Sequence, residues 1–401
     1  MQRAKWLFDR KERLPRAEDG VVTAFRDGQV TLRTNRRTEG FTNAIQEHGY
    51  QGIRKGDLVI HAMDAFAGAI GISESDGKST PVYAACVPRD EYPINNYFYA
   101  YLLRYMAHSG YIESLSKGIR ERSTDFRFTE FRELPLPIPP QDEQDRIVAF
   151  LDRKTAEIDA AIAKKARLIE LLQEQKGILI NQAVTRGLNP EAPVKNSGVK
   201  WIGEVPAHWD IRRAKYLFKE IDERSQTGNE ELLSISHMTG VTPRSEKTNI
   251  YMFMAEDYSG SKLCRPNDLV FNIMWAWMGA LGVSDRTGIV SPSYGVYRQL
   301  KDGTFNSWYL EHLLRTSSYV AEYNRRSTGL HSSRLRLYSH MFFDMEIAVP
   351  PREEQDEIER RTKEQAAAAE AIISATMREI EKLAELRATL IASVVTGQLK
   401  I

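Results

Sequence analysis

One segment of this chain occurs twice. RKGDLVIHAMDAFAGAIGIS, from Arg54 to Ser73, aligns with RPNDLVFNIMWAWMGALGVS, from Arg265 to Ser284, with 10 identities in 20 positions and an offset of 211 residues. The same offset carries Pro81 onto Pro292, Tyr83 onto Tyr294, Leu102-Leu103-Arg104 onto Leu313-Leu314-Arg315, Pro139-Pro140 onto Pro350-Pro351 and Glu143-Gln144 onto Glu354-Gln355. It runs without a gap to Val184-Thr185 and Val395-Thr396, and near the N-terminus Ala4 to Phe8 matches Ala214 to Phe218 at an offset of 210. A chain of 401 residues repeating at this period is two versions of one unit, and the expectation is a pseudo-twofold internal repeat.

Each unit closes on a long helical stretch. A Pro-Pro step followed by acids (Asp142, Glu143; Glu353, Glu354) marks a helix start, because proline suits the first turn and carboxylates suit the positive end of the dipole. Ile147, Leu151, Ile158, Ile162, Ile169, Leu172 and Leu179 form one apolar seam on an otherwise charged rod; Ile358, Ala369, Ile372, Ile380, Leu383 and Leu390 form the second. The spacing predicts helices over 141–184 and 352–395, each about 66 Å long at ~1.5 Å per residue. Antiparallel pairing of the two within the chain buries both seams.

The globular parts read as mixed α/β. Val21, Thr23 and Phe25 alternate before Asp27-Gly28, and Val30 and Leu32 after it, which predicts a hairpin; Asp57 to Ile60 reads as a short strand and Leu269 to Val283 as buried strand and turn. Asn96 to Ser116 reads as an amphipathic helix, whose tyrosine spacing is explained by core packing better than by base stacking. The expected fold class is α+β, with two mixed α/β domains joined by two long helices in an antiparallel coiled coil. The expected boundaries are a first domain at 1–138, a central helix at 139–189, a linker at 190–208, a second domain at 209–349 and a C-terminal helix at 350–401. VKWIGEVPAHW, Val199 to Trp209, prefaces the second unit and has no counterpart before Ala4.

Several function classes find no support. Gly-x-Gly-x-x-Gly, phosphate-loop, Gly-x-Ser-x-Gly, His-Glu-x-x-His and Asn-Pro-Pro-aromatic patterns are all missing from the sequence, so no catalytic residue is assigned. Asp64 with Asp76-Gly77-Lys78 is a faint echo of a nuclease, but Trp275 and Thr287 replace the two acids in the second copy. Cys86 and Cys264 stand apart without a CxxC pair, which points to a reducing compartment and no metal site. With no signal-like opening or spanning run, the expected location is cytoplasmic, with no membrane partner.

Lys+Arg 55 against Asp+Glu 54 leaves a net charge of +1, so a nucleic-acid surface has to be local. Between Arg315 and His340 stand Arg315, Arg325, Arg326, Arg334 and Arg336, with His331, against one acid, Glu322. The first copy has Arg120, Arg122 and Arg127 in the matching stretch, mixed with acids. Arginine's planar fork can hold phosphate or pair with guanine, so these are candidate DNA contacts. The turn after the repeated strand diverges between the copies: His61-Ala62 against Asn272-Ile273, and Asp64 against Trp275. That divergence adds His61, Asn272 and Trp275 to the candidates.

Taken in order and twice over, the motifs around Asp268 to Gly279, Ile289 to Tyr294, Leu136 to Gln144 with Ala348 to Gln355, and Trp201 to Pro206 resemble the DNA-specificity subunit of type I restriction-modification systems. The resemblance covers nearly the whole chain. It implies a non-catalytic subunit in which each domain is a target-recognition domain reading one half of a bipartite site in double-stranded DNA. It further implies that the helices set the gap and dock two modification (methyltransferase) subunits, with restriction subunits as further partners. S-adenosylmethionine, ATP and Mg would then belong to the partners, and this chain would bind no cofactor. The competing reading is a coiled-coil interaction scaffold with protein-binding domains.

Overall fold

The computed structural model describes residues 1–36, 48–115, 125–246, 257–329 and 335–401. It divides into two compact units, Met1–Arg167 with Thr376–Ile401, and Leu168–Ala375. The division falls inside both long helices, so each unit combines one globular part with a segment of each helix.

The first unit is built on a four-stranded antiparallel sheet of β1 (Phe8–Arg10), β2 (Leu58–His61), β3 (Ile70–Ile72) and β4 (Tyr83–Pro88), in the order β1-β4-β2-β3. Leu58, Val59 and Ile60 form a continuous apolar run because both faces of β2 are covered. One face meets Phe98, Tyr99, Leu102 and Leu103 of the helix Asn96–His108; the other meets the hairpin Val22–Ala24 with Val30–Leu32. The expected hairpin forms, and Gly28 at φ +89° closes its turn. The helix expected over 96–116 is broken: Gly110 at φ +78° separates Asn96–His108 from Tyr111–Leu115, and Ser116 lies outside the described residues.

The second unit repeats the plan with β5 (Phe218–Glu220), β6 (Leu269–Phe271), β7 (Leu281–Val283) and β8 (Gly295–Gln299), in the order β5-β8-β6-β7. The registers match as well: Leu58 faces Ile72 as Leu269 faces Val283. The segment read as a linker is folded. Val194–Asn196 pairs antiparallel with Glu204–Pro206, and the preface then packs into the unit, with Trp201 edge-on to Tyr319 at 4.7 Å and Trp209 edge-on to Tyr309 at 6.4 Å. Burying these indoles supplies the apolar contact that a solvated linker lacks.

The long helices are α1 (Gln141–Arg186) and α2 (Arg352–Val395). Within the first unit Lys165 pairs with Glu379, and Arg387 with Asp159 at 3.0 Å; within the second, Lys176 pairs with Glu370 at 2.6 Å. As the α1 number rises the α2 number falls, so the helices run antiparallel in each unit. No helix among the described residues is long and apolar enough to cross a membrane.

Candidate nucleic-acid interface

The start of each long helix is fastened to its own domain by the same joint. Gln144, fully buried, accepts the Asn95 amide at 2.9 Å through Oε1 and donates Nε2 to the carbonyls of Pro93 at 3.0 Å and Pro139 at 2.8 Å. Gln355, also fully buried, accepts the Asn306 amide at 2.9 Å and donates to Thr304 at 3.0 Å and Pro350 at 2.9 Å. Asn95 and Asn306 in turn cap the helices Asn96–His108 and Ser307–Leu314, and each gives its side-chain amide to the next acid on the long helix, Asp145 or Asp356. A buried amide with both N–H groups donating and its oxygen accepting strongly restricts the geometry. The repeated Glu-Gln step marked these positions in the sequence, but their role was not readable from it.

In the second unit the turn after β6 presents the aromatic surface. Asn272, only 6% exposed, is occupied in building that turn: its Nδ2 donates to the Tyr294 hydroxyl at 3.0 Å and its Oδ1 accepts the Met274 amide at 3.3 Å. Gly279 at φ +82° ends the turn against Val320 of the helix Ser317–Arg326. Trp275 is 49% exposed and lies nearly parallel to Trp277, with centroids 6.0 Å apart and planes at 18°. Trp277 stands in the stretch that diverges between the copies, Asp64 to Phe66 against Trp275 to Trp277, and its stacking on Trp275 places it beside that ring.

The arginines beside this turn divide into two kinds. Glu322, 3% exposed, takes Arg325 at 2.7 and 2.6 Å and Arg326 at 2.5 Å, and the arginines hold its carboxyl below the usual range. The single acid of the stretch therefore neutralises two of its arginines, because residues three and four apart share a helix face. Arg325 and Arg326, expected as DNA contacts, are thus engaged on their own helix. Arg315 pairs likewise with Glu311. Arg336 is exposed and makes no ion pair among the described residues; its backbone bridges Thr328, and the next residue, Leu337, donates its amide to Ile273 in the aromatic turn. The structure thus ties the Arg336 segment to the turn that carries Trp275. His331 and Arg334 lie outside the described residues.

The first unit carries the same tie, Phe126 amide to Ala62 carbonyl at 3.0 Å, but different chemistry. His61 is mostly buried against Tyr83, centroids 4.5 Å apart, and its Nδ1 accepts the Asp64 amide at 3.0 Å. Burial pushes the His61 pKa down, partly offset by Asp64. Asp64 also receives Arg26 at 2.8 Å, and Asp76 receives Arg16 at 3.2 Å, so each acid of the nuclease-like echo serves an arginine of its own. Arg127, exposed and paired with Asp125, lines a cavity of about 460 Å³ with Arg10, Met63, Tyr83 and Phe128. Arg120 and Arg122 lie outside the described residues. Among the described residues no group of three or more His, Cys, Asp or Glu could hold a metal ion.

Residues 35–171, about a third of the chain, match the sequence model described as the type I restriction modification DNA specificity domain. The second unit repeats that domain in sequence, strand order and helix joint. The stretch 35–171 is thus similar to a type I restriction-modification specificity domain. A relative, the putative type I restriction enzyme MjaX specificity subunit of Methanocaldococcus jannaschii, is 27% identical over 118 residues, 29% of this chain and 26% of that protein. The match thus spans about a quarter of the relative's length. Two solved structures share the fold of the specificity family. A chain from work on complex assembly and conformational transition of the type I R-M system has a TM-score of 0.63 at 14% identity, covering 87% of this chain and 84% of the other. The HsdS subunit from Thermoanaerobacter tengcongensis has a TM-score of 0.51 at 16% identity, covering 87% and 83%.

Proposed function

We propose that this chain is the non-catalytic, sequence-specific DNA-binding subunit of a type I restriction-modification complex, each unit reading one half of a bipartite, asymmetric site. The observation that carries the reading is the duplicated joint. Gln144 and Gln355 anchor two domains of the same fold to the two long helices through equivalent bonds, while the turns those domains present differ at several positions: His61, Asp64 and Phe66 in one, Asn272, Trp275 and Trp277 in the other. A shared frame with unlike surfaces suits two unlike half-sites. Trp275, Trp277 and Arg336 are the contacts assigned to the second half-site, and Arg127 with Arg120 and Arg122 to the first.

The long helices serve as spacer and docking surface for two modification subunits, with restriction subunits joining the complex. Leu168, Leu171, Ile178 and Leu179 of α1 and Ile372, Met377 and Leu386 of α2 are exposed, more apolar surface than a solvated helix pair needs. S-adenosylmethionine, ATP and Mg are assigned to the partners, and the site of action is the cytoplasm. Comparing methylated adenines in genomic DNA with and without this subunit tests the proposal. Loss of methylation at a single two-part motif is the expected result; an unchanged pattern refutes it. A shortening of both helices by one turn should change the gap and leave both half-sites as they were. Altered half-sites across the old gap would favour the scaffold reading instead.

A further inference from the structure

The two copies differ at one half-buried charge, and a cavity marks the difference. In the second unit the Arg315 guanidinium donates to Glu311 Oε1 at 2.9 Å and to the His237 carbonyl. The other oxygen, Oε2, accepts the Val283 amide at 2.9 Å. One carboxylate therefore joins the arginine to β7, pressed over Gly240 and Gly282. In the first unit the offset of 211 places Arg104 at the position of Arg315, Gly71 at that of Gly282 and Ile72 at that of Val283, but Ala100 at that of Glu311. Here the Arg104 guanidinium itself lies over Gly28, and a cavity of about 180 Å³ beside it is lined by Gly71, Ile72, Ala100, Arg104 and Arg387, with Glu74 and Asp152 also on its wall.

Arg104 has retained its charge and lost its partner. Its Nε is buried without a hydrogen bond, and no ion pair to it occurs among the described residues. The nearby acids are each engaged elsewhere: Asp152 takes the Tyr101 hydroxyl at 2.7 Å, Glu74 the Gln29 amide at 3.1 Å, Asp159 the Arg387 guanidinium at 3.0 Å and Asp27 the Arg36 guanidinium at 2.6 Å. Burial and the neighbouring Arg387 push the pKa of Arg104 down, the mark of a cation short of counter-charge. A half-buried charge without a partner is costly, and an oxyanion beside it removes that cost. Because the strand registers agree, the Ile72 amide faces the side that the Val283 amide faces.

We propose that the cavity at Arg104 is a carboxylate-binding site filled from outside the chain, one oxygen meeting Arg104 and the other the Ile72 amide. The carboxylate is either a small free one or an acidic side chain of a protein partner, and the two sources share this chemistry. Calorimetry of the full chain tests it, with sodium acetate and the capped peptide acetyl-Gly-Glu-Gly-amide as probes and sodium chloride matched for ionic strength. Acetate should raise the first unit's melting temperature by about 2–4 °C in a saturable way, beyond chloride. Ala100→Glu, which supplies the carboxylate from within, should show a similar rise without acetate and no further response; Arg104→Met should fold without responding. A peptide effective at lower concentration than acetate assigns the occupant to a partner's side chain, and acetate alone acting assigns it to a free ion. An acetate effect no larger than that of chloride, an undiminished response in Ala100→Glu, or a larger effect of inorganic phosphate each overturns the assignment.

Discussion

Replacing Gln355 by methionine keeps the side chain's volume and removes three hydrogen bonds at the base of α2. Two of the groups left behind, the Asn306 amide and the Pro350 carbonyl, are buried where water does not reach them. Each such orphan costs about 1–3 kcal/mol, and the Thr304 carbonyl, only partly buried, costs less, so the second unit should lose about 4 kcal/mol. The partners of Gln144 are all partly exposed, and Gln144→Met should cost the first unit about 2 kcal/mol. Urea unfolding followed by tryptophan fluorescence reads the second unit selectively, because Trp201, Trp209, Trp275, Trp277 and Trp308 lie in it and only Trp6 lies in the first. With a denaturant slope of about 2–3 kcal/mol/M, the midpoint for Gln355→Met should fall by about 1.3–2 M at unchanged slope. A fall of less than about 0.5 M would show that the glutamine is not what holds the helix to the domain. So would an equal fall on changing Gln144, whose bonds are made in the other unit.

Other expectations concern the candidate interface. Asn272→Ala should destabilise the second unit by about 1–3 kcal/mol, because it unties the Tyr294 hydroxyl and the Met274 amide. Trp275→Ala should stay within about 0.5 kcal/mol of wild type and instead weaken binding to one half-site, read by gel shift against duplexes altered in either half. Glu322→Gln should lower stability by about 1–2 kcal/mol, a figure kept small because Arg325 is largely exposed. Since Arg325 and Arg326 hold the Glu322 carboxyl below its usual 4.5, this contribution is present above that pH and is lost as pH falls through the folded value, as acid titration of the two variants would show. Proton NMR should find His61 titrating below 6.5, lower still in Asp64→Asn and higher in Arg26→Ala. Because protonation favours the unfolded chain here, the first unit should lose stability as pH falls below 6.5 and gain none above it.

Much of the fold is legible in the residues. The long helices begin where the Pro-Pro steps and first-turn acids place them, and the Asp27-Gly28 hairpin forms, because these signals act within a few residues of where they are written. Two local readings go astray for a non-local reason. The stretch 190–208 looks like a linker until Trp201 finds Tyr319, more than a hundred residues away. The helix expected over 96–116 contains Gly110, whose left-handed backbone ends a turn that periodicity would have continued.

The interface is less legible, since residue type states a capability and not a partner. A count of arginines against acids found a single acid in 315–340, but not that this one buried glutamate would occupy two of the arginines on the same helix face. Asn272 and Trp275 diverge alike between the copies, but one builds the turn and the other is displayed by it.

By itself the sequence determined that the chain is one unit written twice, where the long helices start, that each carries an apolar seam, and which positions the copies share; it did not determine how fully the seams are covered, since Leu179 and Ile372 stay exposed. Those properties follow from periodicity and from an offset, and need no coordinates. Only the tertiary structure decided which shared positions bear weight and which charges stand without a partner. Gln144 and Gln355 became joints, and Arg104 became an arginine without its acid, through contacts between residues roughly 30 to 50 positions apart. The free energy of a buried polar group depends on the atoms that surround it, and folding alone assembles that surrounding.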